Sequence, residues 1–140
     1  MLIDIKDMLG NRGIQELIAY AVFPDPEVIQ KTFEKYESNQ GKIMGYSLDD
    51  EIIGILGYES LPDEVVKIAH ISVHPEFRGL GYGRGMILEL IDLIRPRKIV
   101  AETDEEAVDF YRNIGFVIVS LGEKYPNVER FECSFETEFN

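Results

Sequence analysis

Nothing in the 140-residue chain limits its fold more than a change of hydrophobic period across one glycine-rich segment. From Val65 to His74 the residues alternate, with Val65, Lys67, Ala69, Ile71 and Val73 on one face and Val66, Ile68, His70, Ser72 and His74 on the other, the spacing of a strand. Beyond Pro75 the period becomes helical. Met86, Ile87, Leu90, Ile91 and Ile94 form a stripe that is predicted to stop at Arg95, because the residue before Pro96 is pushed out of helical geometry. Between strand and helix lie Arg78-Gly79-Leu80-Gly81-Tyr82-Gly83-Arg84-Gly85. Such a loop turns backbone N–H groups toward a ligand, and the helix start adds unpaired donors and partial positive charge. Arg78 and Arg84 add more, so a phosphate-bearing ligand is the expected occupant. Two nucleotide motifs fail on spacing. Gly79, Gly81 and Gly83 put Arg84 where Gly-x-Gly-x-x-Gly needs its last glycine, and no Gly-Lys-Ser or Gly-Lys-Thr occurs. A glycine turn that only joins strand to helix is the alternative.

The rest of the chain supplies a sheet and its covering helices. Leu2 to Lys6 reads as a first strand. Ile14, Leu17, Ile18 and Ala21, then Val28, Ile29, Phe33 and Tyr36, mark two helices broken by Pro24-Asp25-Pro26. Lys42 to Leu48 and Glu51 to Tyr58 form a hairpin around Asp49-Asp50. After the glycine segment, Lys98 to Glu102 is a strand, and Thr103 to Glu106 has the form of a capping box. It opens a helix with Ala107, Phe110, Tyr111 and Ile114 on its stripe, ended by Gly115. Phe116 to Leu121 and Val128 to Phe135 are strands joined by a Gly122 to Asn127 turn. The expected fold class is α/β (mixed α+β), one domain over residues 1–140, with a mixed sheet of about seven strands and helices on its faces.

Charge narrows the partners. With 26 acidic against 14 basic side chains the net charge is -12, which disfavours nucleic acid and suits a cationic substrate, unless the acidity serves solubility alone. The single cysteine, Cys133, lies in an alternating stretch and reads as a structural thiol, suited to a reducing, cytoplasmic setting. The N-terminal residues carry Asp4 and Asp7 where a signal peptide needs a basic flank, and no stretch is long enough to span a membrane. His70 and His74 lack further ligands at metal spacing, so no metal is expected.

These segments resemble the GNAT superfamily of acyl-CoA-dependent N-acetyltransferases. Its signature, Arg or Gln followed by x-x-Gly-x-Gly or Ala, stands here as Arg78-Gly79-Leu80-Gly81-Tyr82-Gly83, preceded by Val73-His74-Pro75. Ala107-Val108-Asp109-Phe110-Tyr111, closed by Gly115-Phe116, is similar to its second landmark. The resemblance implies acetyl-CoA as co-substrate, transfer to a primary amine, and a splayed central pair of strands. It also implies that the backbone of Ile71 and Val73 pairs with the pantetheine and that amides from Gly79 to Arg84, with Leu80, Gly81, Tyr82 and Gly83 between, hold the pyrophosphate. Asp104, Ala107 and Phe110 fall beside the pantetheine in this scheme, although the family often has asparagine at the position of Asp104.

Tyr111 matches the tyrosine that often protonates the departing thiolate, while its place on an apolar stripe equally suits packing. A lysine-type amine, with a pKa of about 10.4, must lose a proton before it attacks. The strand positions where relatives carry a base correspond to Lys67 and Ala69, neither of which can serve. His70, Glu59 or a water relay are the remaining candidates, with ordinary structural roles open for both residues. Two further functions stay open: a CoA-binding regulatory module without turnover, and an acyltransferase using another acyl chain or a hydroxyl acceptor. Phe131, Phe135 and Phe139 suit either a homodimer contact or the packing of a monomer.

Overall fold

In the computed structural model, which describes residues 1–138, the elements follow in the order β1 (Leu2–Asp4), α1 (Arg12–Tyr20), α2 (Pro26–Glu37), β2 (Lys42–Leu48), β3 (Glu51–Leu61), β4 (Val65–Val73), α3 (Tyr82–Ile94), β5 (Lys98–Thr103), α4 (Val108–Asn113), β6 (Val117–Tyr125) and β7 (Val128–Glu136). The seven strands among the described residues are ordered β1-β2-β3-β4-β5-β7-β6, the mixed α/β arrangement expected. By its contacts the chain divides into two compact units, Met1–Glu59 with Ile68–Ile94, and Ser60–Lys67 with the chain from Arg95 onward.

In the first unit, β1 pairs antiparallel with β2 and β2 with β3. The hairpin turns at Asp49 and Asp50, both at positive φ, where a short polar side chain tolerates the left-handed region. Side chains cap both covering helices: Asn11 accepts from the Ile14 amide and Asp25 from the Glu27 amide. Their apolar stripes bury Ile14, Leu17, Ile18 and Tyr36 against Ile43 and Ile55, each aliphatic contributing about 1.5–3 kcal/mol. Gly57 faces Tyr36 of α2, whereas Gly54, three residues back and so on the other face, meets Met86 of α3. Helices therefore cover both faces of this sheet. Helix α3 stops at Ile94, and Arg95 takes a φ of +53° ahead of Pro96.

In the second unit, β5 and β6 each pair antiparallel with β7. Helix α4 ends before Gly115, whose φ is +99°. Three expectations need correction. The first strand ends at Asp4, because Lys6–Met8 form a 3-10 turn. Gly122 to Asn127 is not a loop: β6 runs to Tyr125, and register shifts on either side of Gly122 and Glu123 absorb the glycine as an irregularity within the ladder. Thr103 does not cap α4; Asp104 accepts the Ala107 amide at 3.0 Å and so organises the turn before the helix. Phe131 and Phe135 are half-buried, and Phe139 lies outside the described residues. Cys133 is buried, and that burial raises its thiol pKa. Among the described residues no helix is long and apolar enough to cross a membrane.

Candidate functional site

The glycine segment is a candidate anion site. A 3-10 turn over Pro75–Phe77 leads into Gly79 at φ +76° and Gly81 at φ +87°, a region costing other L-residues roughly 1–2 kcal/mol. A Cβ at either glycine would meet nothing within 4 Å, so conformation and not crowding requires them. The Gly81 carbonyl accepts the Gly85 amide at 2.9 Å, which makes Gly81 the first half-turn of α3. Glycine has no side chain with which to cap, in contrast to Asn11 and Asp25 at the other two long helices. The amides of Gly81, Tyr82, Gly83 and Arg84 consequently donate to no acceptor among the described residues. Four amides without an acceptor at the positive end of a 13-residue helix form a candidate cradle for an anion. Arg84 is exposed beside them.

Arg78 behaves differently from the simple expectation of a phosphate ligand. Its Nε donates to the Val73 carbonyl at 2.9 Å, and its guanidinium lies 5.2 Å from the centre of the Tyr20 ring at the end of α1. The charge stays close to the cradle while the side chain is pinned to the end of β4. The strand itself offers its backbone in one direction. The His74 amide donates to the Ile53 carbonyl at 2.7 Å, so by strand alternation the even residues address β3. The backbone groups of Ile71 and Val73 then point away from β3. On the even face, Ser72 Oγ donates to the Leu17 carbonyl, tying β4 to α1.

Both residues expected as bases are engaged. His70 is hydrogen-bonded through Nδ1 to the Tyr36 hydroxyl, with the rings edge to face and 5.5 Å apart. Glu59 forms an ion pair with Lys35, each about one-quarter exposed. The two sites are neighbours, since burial first and the Glu59 charge second raise the Tyr36 phenol well above its ordinary pKa. Lys67 is exposed and Ala69 half-buried. Sequence reasoning missed Tyr36, which reads there as one more apolar stripe position; Gly57 inside β3 was the available signal of a close approach.

In the second unit, Tyr111 is 5% exposed and packs edge-on against Phe110 at 5.0 Å and Phe116 at 5.2 Å. Its hydroxyl makes no hydrogen bond among the described residues, yet no buried side-chain polar atom there lacks a partner. The oxygen must therefore reach accessible surface while the ring is buried. Desolvation, with a smaller contribution from Cys133, raises its pKa, so it holds its proton at neutral pH. Phe110 is half-buried and Ala107 exposed, while the Asp104 carboxylate is occupied in the turn. No group of three or more His, Cys, Asp or Glu side chains that would suit a metal occurs among the described residues.

Comparison with known proteins places the chain in a family. The N-alpha-acetyltransferase RimI of Mycobacterium tuberculosis is 32% identical over 91 residues, covering 63% of this chain and 54% of that protein. The chain thus matches about half the length of that relative. Among solved structures, the ribosomal-protein-S18-alanine N-acetyltransferase of Escherichia coli superposes with a TM-score of 0.78 at 16% identity, covering 100% of this chain and 95% of that one. A Bacillus subtilis acetyltransferase in complex with CoA gives a TM-score of 0.73 at 16% identity, over 91% and 93% of the two chains. At those identities the structures establish the fold alone. The model of the acetyltransferase (GNAT) family matches residues 11–116, more than half of the sequence, and the chain belongs to that family.

Proposed function

We propose that the protein is an acetyl-CoA-dependent N-acetyltransferase that passes the acetyl group directly to a primary amine. The observation that carries this reading is the uncapped start of α3, where the amides from Gly81 to Arg84 suit the diphosphate of CoA. Arg78 and Arg84 add positive charge, and the outward backbone of Ile71 and Val73 suits an extended pantetheine arm lying alongside like an added strand. The Val73 N–H is the proposed donor to the oxyanion formed when the amine attacks.

Tyr111 is the proposed general acid. The departing thiolate, with a reference pKa of about 8.5, takes the phenolic proton as the carbon–sulfur bond breaks. A phenol whose pKa lies above 10 gives that proton up reluctantly, so its contribution belongs at the modest end of general-acid catalysis. For the amine, His70 and Glu59 already have partners, which favours loss of its proton to water. An α-amine suits this scheme: its reference pKa of about 7.7–8.0 leaves a substantial neutral fraction at pH 7.5, unlike a lysine-type amine. Similar proteins named for N-alpha and alanine N-acetylation support placing peptide α-amines in the acceptor panel.

Thiol release from acetyl-CoA, measured across peptide α-amines, polyamines and aminoglycoside-like amines, tests the reading. Turnover with at least one acceptor, reduced in Tyr111→Phe, is expected. The engagement of both candidate bases favours one second reading, a CoA-binding module without turnover. Binding of CoA with no thiol release above background for any acceptor would establish that alternative.

A further inference from the structure

We infer that Tyr36 is a positioning residue that fixes the tautomer of His70, leaving the ring proton on Nε2 so that His70 serves as a hydrogen-bond donor and not as a base. Tyr36 projects from α2 and is 1% exposed. Its hydroxyl sits directly over Gly57, where an added Cβ would fall 1.8 Å from the phenolic oxygen, so the ring has little room to swing. Among the described residues the hydroxyl has one hydrogen-bond partner, His70 Nδ1.

A phenol and an imidazole nitrogen can meet in two ways. If Nδ1 carried the hydrogen, the Tyr36 oxygen would accept it and the buried O–H would be left without an acceptor, a costly arrangement. If Nδ1 carries the lone pair, the hydroxyl donates to it and both groups are satisfied. Tyr36 is held in the protonated form this requires by burial and by the nearby Glu59 charge. The nearby Glu59 carboxylate is committed to Lys35. The charged and titratable groups around Tyr36 include Lys35 from α2 and Glu59 from β3, with Asp4, Lys6 and Lys42 lining the small cavity beside it.

The consequence for function rests on the acetyltransferase reading; the tautomer itself does not. With Nδ1 occupied and Nε2 protonated, neutral His70 has no lone pair with which to take an ammonium proton.

The test is long-range 1H–15N correlation NMR of histidine-labelled protein at pH 7.5, without substrate. The chain has two histidines, and His74 supplies an internal reference because its Nδ1 accepts the Glu76 amide at 3.1 Å, which requires a lone pair there. His70 is expected to show the same Nε2–H pattern in the wild type, and to move toward a mixed pattern in Tyr36→Phe. A wild-type His70 with its hydrogen on Nδ1 would overturn the inference, as would a pattern unchanged in a folded Tyr36→Phe. If that variant does not fold, the wild-type spectrum alone decides the tautomer. Because no acyl donor or acceptor is present, the result stands apart from any failure to detect acetyl transfer.

Discussion

Replacing Gly57 by alanine isolates the contact on which the Tyr36 cluster depends. The new Cβ would lie 1.8 Å from the Tyr36 hydroxyl, 2.5 Å from Cζ and 3.0 Å from Cε1. No real carbon is accepted at the first two distances, and Tyr36 is too deeply buried to turn outward. Overpacking of a filled core costs about 1–3 kcal/mol, and loosening the hydroxyl–imidazole bond adds about 1 kcal/mol. The sum, about 2–4 kcal/mol, corresponds to a fall in Tm of roughly 6–15 °C for a domain of this size. Differential scanning calorimetry reads it directly. Gly10→Ala is the control, since nothing lies within 4 Å of its Cβ position and its φ is not in the left-handed region. In a Tyr36→Phe background the nearest clash disappears while the Cζ contact remains, so the alanine should cost less there but not nothing. A Gly57→Ala protein melting within about 2 °C of wild type would refute the packing argument.

Two further expectations concern the buried phenols. In Tyr111→Phe the ring contacts persist and no hydrogen bond is lost, so stability should change by less than about 0.5 kcal/mol while kcat falls roughly 10- to 100-fold; an equal loss in both, from parallel denaturation and thiol-release assays, would make Tyr111 a packing residue only. Burial raises the pKa of Tyr36 and Tyr111 in the folded state, so below pH 10 their contribution is intact. Above pH 10 the unfolded chain releases phenolic protons that the folded chain retains, and stability falls with rising pH. Urea denaturation between pH 8 and 11.5 should show that decline, shallower in Tyr36→Phe; an identical slope in both proteins would contradict it.

The strand, loop and helix that build the cradle were legible because local chemistry decides them. A period of two, alternating glycines and a period of 3.6 follow one another within 30 residues of sequence, and Pro96 marks the stop. Among the described residues no acceptor takes the amides from Gly79 to Arg84, and the last four of these belong to the uncapped start of α3. Where prediction failed, distant partners decided the outcome. Gly122 has the composition of a turn, yet pairing with Arg130 keeps it in β6 as an irregular position. Thr103 and Glu106 have capping spacing, yet the Asp104 side chain reaches the Ala107 amide first. The link from Tyr36 to His70 spans 34 residues, and no periodicity in either segment encodes it. The contacts of Arg78 with Val73 and Tyr20 are likewise not encoded in the local sequence.

Titration calorimetry of the folded protein with acetyl-CoA and with CoA examines the nucleotide cradle itself. Saturable binding of one equivalent is predicted for both, the shared diphosphate accounting for their similar affinity. Heat of dilution alone, from protein whose thermal unfolding is cooperative, would contradict the assignment of the Gly81 to Arg84 amides.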